Sequence, residues 1–184
     1  MRRSILACGL LLAFAGILAG ATAAAGHNAS STLRAQARAA RHWKHRAGLY
    51  RRETWHWDHV MGVRLAHRPR RVLASTSTAS LQRLASWWRG REHLAWRRSR
   101  RPPRLAAWLC IHRYEGAWSD SGAPYWGGLQ MDLSFQQRYG AWLLRTKGTA
   151  DRWTPLEQIW VAVRAWRVRG FGPWPNTARY CGLV

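Results

Sequence analysis

The chain has 184 residues, a mass of 21.1 kDa and a formal net charge of +22, enough for one ordinary domain with added segments. A hydrophobic fraction of 47% excludes wholesale disorder, and 30 Lys plus Arg against 8 Asp plus Glu call for a polyanionic neighbour: nucleic acid, anionic lipid or an anionic cell wall. Fourteen Trp is the second departure, because Trp buries large area and also offers flat platforms to sugars, bases and cations.

The first element reads as a secretory leader. Met1-Arg2-Arg3 is a short basic n-region, and residues 5–25 carry no charge and end in small residues. The run is long enough to span a bilayer. Its end favours cleavage instead, because Ala21-Thr22-Ala23 and Ala23-Ala24-Ala25 both fit the A-x-A pattern. Residues 1–25 are therefore read as a signal peptide that takes Cys8 with it, leaving a secreted, wall-associated chain that starts near Ala24 or Gly26. In an exported chain the two remaining thiols, Cys110 and Cys181, are read first as one structural disulfide.

Residues 26–102 form a basic region, partly helical with linkers. From 26 to 104 there are 19 Arg or Lys against Glu53, Asp58 and Glu92, a net +16. One predicted helix, rich in Ala and Arg, covers about 32 to 59. Arg68-Pro69-Arg70-Arg71 and Ala74-Ser75-Thr76-Ser77-Thr78 read as a linker. A second helix is predicted over 80–98, with Leu81, Leu84, Trp88 and a less regular Leu94 near helical spacing. Two His pairs, His42 with His45 and His56 with His59, have i, i+3 spacing. No carboxylate pairs them, so solvated histidines are expected and no metal or other cofactor. Trp43, Trp55, Trp57, Trp87, Trp88 and Trp96 alternate with Arg, which suits either adhesion to anionic wall polymer or plain helix packing.

Arg100-Arg101-Pro102-Pro103 is a breaker, and residues 103–184 read as a compact unit with a net charge of only +4 from 105 onward. Leu105, Trp108, Leu109 and His112 predict a helix over 104–115 stopped by Gly116. Residues 117–128 suit a loop or small hairpin, and 134–144 a second helix. Thr154-Pro155-Leu156-Glu157 is a strong helix start, followed by Ile159, Trp160, Val163 and Trp166 on a buried face up to Gly170. The expected class is α+β, mainly α: two or three helices around a Gly-rich loop, closed by the disulfide.

Five carboxylates are left to carry chemistry here. Glu157 is explained by capping, and Asp151 is expected in solvent. Glu115 stands out. It ends a helix, where the macrodipole disfavours a negative charge, and Tyr114 and Trp118 can wall it off from water. A carboxyl kept protonated among aromatics is what a general acid for glycosidic cleavage requires. The bland alternative is a surface Glu paired with one of the many Arg. Asp120 sits in a Ser-Asp-Ser-Gly turn, and Asp132 is the better second carboxylate, with an N-cap role equally open.

Four blocks occur in order: Cys110-Ile-His-Arg-Tyr-Glu115-Gly-Ala-Trp118, then Tyr125-Trp126-Gly127-Gly128-Leu129-Gln130-Met131, then Glu157-Gln158-Ile159-Trp160-Val161-Ala162, and Gly172-Pro173-Trp174-Pro175. Together, over about 105–184, they resemble the resuscitation-promoting factor and transglycosylase-like family of actinobacterial wall enzymes, whose fold is a trimmed lysozyme. The resemblance implies that Glu115 is the catalytic acid. It further implies that Tyr125, Trp126 and Gln130 line the glycan cleft, with Trp174 close by; Trp118 and Asp132 are expected to contact the glycan as well. One departure is that many members place Cys directly before the Glu, whereas here Tyr114 fills that position and Cys110 lies five residues upstream. The expectation is then a muralytic enzyme that cleaves the β-1,4 MurNAc-GlcNAc bond of peptidoglycan, by hydrolysis or by transglycosylation. Its partners would be glycan strands, anionic wall polymers through the basic region and a peptidoglycan peptidase, with no specific nucleic acid. The rival is a non-catalytic cationic wall- or membrane-binding protein that keeps the fold alone.

Overall fold

The computed structural model describes residues 14–67 and 77–184; the basic n-region, Cys8 and most of the expected linker, 68–76, lie outside the described residues. The first helix, α1 (Phe14–Met61), is far longer than the predicted 32–59, and both expected cleavage positions fall inside it. Among the described residues no helix is long and apolar enough to cross a membrane.

Helix α2 (Thr78–Ser99) starts where Ser77 Oγ accepts the Ser80 N–H at 3.2 Å, an ordinary N-cap. Its buried stripe is Leu81, Leu84, Ala85 and Trp88, of which Leu84, Ala85 and Trp88 pack on Ala47 and on the half-buried Trp43, Tyr50 and Trp55 of α1. Thr78 lies by Gln36, Trp88 by Trp55, and Ala95 in one cluster with Val60 and Met61. The two helices therefore run in the same direction. Of the six Trp in this region only Trp96 is exposed. Packing, rather than a free aromatic surface, accounts for the other five.

The remaining elements are α3 (Leu105–Glu115), β1 (Tyr125–Trp126) antiparallel to β2 (Met131–Asp132), α4 (Leu133–Tyr139), α5 (Ala141–Lys147), a 3₁₀ turn at Ala150–Arg152, α6 (Pro155–Arg169) and α7 (Pro175–Tyr180). The architecture is mainly helical, closed by the expected disulfide Cys110–Cys181. More helices are present than the two or three expected. One reason is that the predicted 134–144 helix breaks at Gly140, where a Cβ would stand 2.5 Å from the Trp153 ring. The backbone turns there to admit the indole, whose Nε1 donates to Gly148 O at 2.8 Å. Helix α6 begins as expected, with Thr154 and Glu157 forming a reciprocal capping box.

The basic helices and the C-terminal half share one core. Val60, Met61 and Ala95 belong to the same buried cluster as Trp108, Ile111, Leu143 and Trp160. Trp160 Nε1 donates to Ser99 O at 2.8 Å, and the His59 ring stacks on Trp142 with centroids 4.8 Å apart. His56 and His59 were expected in solvent. Both are half-buried, because Trp142 of α5 covers them.

His56 has a second partner. Its Nε2 lies 2.9 Å from Glu157 Oε1, which also accepts from Lys147 Nζ at 2.6 Å, while Glu157 Oε2 accepts the Thr154 N–H at 2.7 Å. Glu157 is 1% exposed. Burial alone would push its carboxyl up. The hydrogen bonds from His56, Lys147 and the Thr154 N–H, with the Lys147 charge, outweigh that and hold it at about 2. A depressed carboxylate adds stability that is complete above its ordinary value of 4.5 and is lost as pH falls toward about 2. The contribution is on the order of 3 kcal/mol. In denaturant titrations between pH 6 and pH 2.5, the wild type should lose stability more steeply than Glu157→Gln, which starts lower and has no proton to take up. Parallel acid limbs would show that Glu157 is not what couples the fold to acid. By contrast Asp151, expected in solvent, is half-buried, and its Oδ1 has no hydrogen-bond partner among the described residues.

Candidate active site

Glu115 is the last residue of α3 and is half-buried. Its Oε1 accepts a 2.7 Å hydrogen bond from Thr177 Oγ1 of α7. The same two elements are joined one turn away by Cys110–Cys181, with Cα atoms 6.0 Å apart. Hydroxyl and disulfide thus fix the end of α3 against α7 at two points, residues 110 and 115 on one side and 177 and 181 on the other. One carboxylate oxygen is fixed and Oε2 is left for another partner.

Gly116 ends the helix with φ +154°, and a Cβ there would stand 3.3 Å from both Asp120 Oδ2 and Gln130 Nε2. The missing side chain lets that polar pair close onto the turn after Glu115. Gln130 Nε2 donates to Asp120 Oδ2 at 2.8 Å and to Gly127 O at 3.0 Å, while Asp120 Oδ1 accepts the Gly122 N–H at 3.0 Å. Asp120 is thus held by its own turn and by Gln130.

The Gly-rich turn between β1 and β2 is held from below. Gln158 of α6, fully buried, accepts the Gly128 N–H through Oε1 at 2.8 Å, and its Nε2 donates to Trp118 O at 2.7 Å and Ala150 O at 2.9 Å. A Cβ on Gly127 would meet that Oε1 at 2.5 Å, which is why glycine is needed there. His112, one turn before Glu115, places Nδ1 3.1 Å from Gly128 O, a contact that requires the proton on Nδ1. Its ring stacks on Trp118 with centroids 3.8 Å apart. Trp174 Nε1 donates to Leu129 O at 2.8 Å. Each strut reduces the freedom of the turn beside the carboxylate.

The expected site residues therefore divide. Glu115, Gln130 and the Asp120 turn come together around Gly116. Trp118 and Trp126 are half-buried and pack on the main cluster, and Tyr125 is 48% exposed on β1. Trp174, expected near the glycan, is 4% exposed with edge contacts to Trp108 and Phe135. It offers the substrate no free face, so its part is support. Asp132 is the N-cap of α4: its Oδ1 accepts from the Phe135 N–H and the Ser134 hydroxyl, both at 2.7 Å, and these bonds hold its carboxyl below the usual range. Sequence reasoning gave no role to Thr177, Gln158 or His112. A polar Gln158 beside the apolar stripe of α6 was the one available signal.

Searches against family models, curated proteins and solved structures find no match to this chain.

Proposed function

We propose that the chain is a secreted muralytic enzyme with a lysozyme-like C-terminal domain, acting on the β-1,4 bond between muramyl and glucosaminyl residues of peptidoglycan. The observation that carries the reading is the Glu115 carboxyl, pinned through Oε1 by Thr177 beside the turn that holds Gln130. The four ordered sequence blocks, from Cys110 to Pro175, support the same reading. In this mechanism the protonated Glu115 donates through Oε2 to the departing glucosaminyl O4 as its bond to muramyl C1 breaks. An oxygen nucleophile then bonds to C1 and returns its proton to Glu115.

Asp120 and Asp132 are both occupied by their own turns, so a dedicated second carboxylate has no support. The muramyl C6 hydroxyl is then the nucleophile, and the product carries an anhydro ring. The basic helices would hold the enzyme on anionic wall polymers. The test is to incubate the protein with purified peptidoglycan and weigh the released muropeptides. Anhydro-muramyl ends are expected. Reducing ends would replace the C6 hydroxyl by water, and no release would overturn the enzymatic reading.

A further inference from the structure

Two adjoining depressions, of about 330 and 480 Å³, lie where the end of α1, the second half of α2 and α6 meet, and they share Val63, Leu94 and Arg98. Together they form one groove. Its floor combines the buried apolar Met61, Ala95 and Trp160 with the buried polar Thr54 and Asp58. Val63 and Leu94 stand at the lip, 41% and 46% exposed. This is the less regular end of the α2 stripe, where the Leu turns outward and the next faces carry arginine.

Among the described residues six arginines line the groove: Arg64, Arg91, Arg97, Arg98, Arg101 and Arg167. The only acid in the lining among the described residues is Asp58, which is buried and accepts the Ala66 N–H at 3.0 Å. Burial also pushes its carboxyl up, against weaker pulls that include Arg98 and Arg91. Among the described residues, ion pairs within 4.0 Å form only at Glu157, so none of the six has a carboxylate in contact. Arg97 and Arg98 near the end of α2 and Arg101 just beyond it bring like charges together on this groove. The guanidinium is the side chain that matches phosphate oxygens bidentately, and 28 of the 30 basic residues of the chain are Arg.

We propose that this groove docks the protein on a membrane surface rich in anionic phospholipid. The arginines would take headgroup phosphates, and Val63 and Leu94 would enter the glycerol and acyl boundary between them. A soluble polyphosphate offers the same phosphates. It has no apolar layer to receive Val63 and Leu94, which is why the lipid surface is the better fit. The inference does not depend on Glu115 or on any cleavage activity.

The test is vesicle co-sedimentation of the chain from Gly26, which keeps every described residue of both buried clusters. Vesicles of phosphatidylglycerol with phosphatidylcholine are compared with phosphatidylcholine alone and with soluble polyphosphate. A triple variant, Arg97→Gln, Arg101→Gln and Arg167→Gln, changes exposed positions only. It should bind anionic vesicles at least ~10-fold more weakly, since each surface arginine adds a sizeable share of such attraction. The matched triple Arg34→Gln, Arg38→Gln and Arg41→Gln, equally exposed on α1, should lose no more than ~3-fold through general charge alone. Leu94→Ser should weaken vesicle binding and leave polyphosphate binding unchanged. Equal losses in the two triples would mean diffuse charge rather than a groove. An unaffected Leu94→Ser would replace the membrane with a soluble polyanion. Either result overturns the proposal.

Discussion

Replacing Glu115 by Gln is expected to lower peptidoglycan cleavage by at least ~100-fold, the usual scale of a positioned general acid, with the fold intact. The substitution keeps the shape of the side chain and leaves an oxygen to accept from Thr177 Oγ1. Only the transferable proton is lost. Neighbouring variants separate this loss from simple damage to the site. Thr177→Val removes the 2.7 Å anchor and should cut the rate by about 10-fold through misplacement, and Thr177→Ser should restore it. Asp120→Asn should cost far less, since the asparagine oxygen still accepts the Gly122 N–H and only the bond from Gln130 Nε2 is lost. Asp132→Ala should appear in stability, at about 1 kcal/mol for a lost N-cap, rather than in rate. Muropeptide release per unit time, measured alongside thermal unfolding, distinguishes these cases. A Glu115→Gln protein that digests peptidoglycan at the wild-type rate would remove Glu115 from the mechanism.

The contrast between Glu115 and Glu157 shows what the sequence could and could not disclose. Helix α6 was legible because its start is local: Thr154, Pro155 and Glu157 carry the capping box within four residues. The disulfide was legible because reading residues 1–25 as a leader left only Cys110 and Cys181 to pair. What escaped was set by distant partners. Glu157 was explained by its cap, but its burial depends on His56, some 100 positions earlier, and no periodicity announces that contact. The break at Gly140 comes from Trp153 filling the space above it, a packing event that a helical pattern over 134–144 does not contain. Thr177 reaches Glu115 across 62 positions. Trp174 is a case of the opposite kind. Its residue type suits both a sugar platform and a core wedge, and only the Trp108 and Phe135 edges against it decide for the core.

Breaking the Cys110–Cys181 bond is expected to cost roughly 4 kcal/mol of stability, the chain-entropy value for closing a loop of 71 residues. For a domain of this size that corresponds to a fall of about 10 °C in Tm. The effect should exceed that of any single surface change, because few other bonds hold the end of the chain. Ala178 of α7 is buried, and Trp174 Nε1 reaches Leu129 O, yet the short α7 has no side-chain cap. The same bond also has a consequence for chemistry. Cys181 lies four residues after Thr177, so the link that anchors α7 to α3 also sets where the Thr177 hydroxyl meets Glu115. A Cys110→Ala, Cys181→Ala chain, assayed well below its lowered Tm, should therefore cleave more slowly than the wild type even while folded, and approach the rate of Thr177→Val. Calorimetry of the oxidised, reduced and doubly substituted proteins tests the first part, and the reduced and substituted forms should agree. An unchanged Tm would mean that packing around Trp174 and Ala178 already fixes α7. A full rate well below the lowered Tm would mean that the carboxylate is positioned without help from the disulfide.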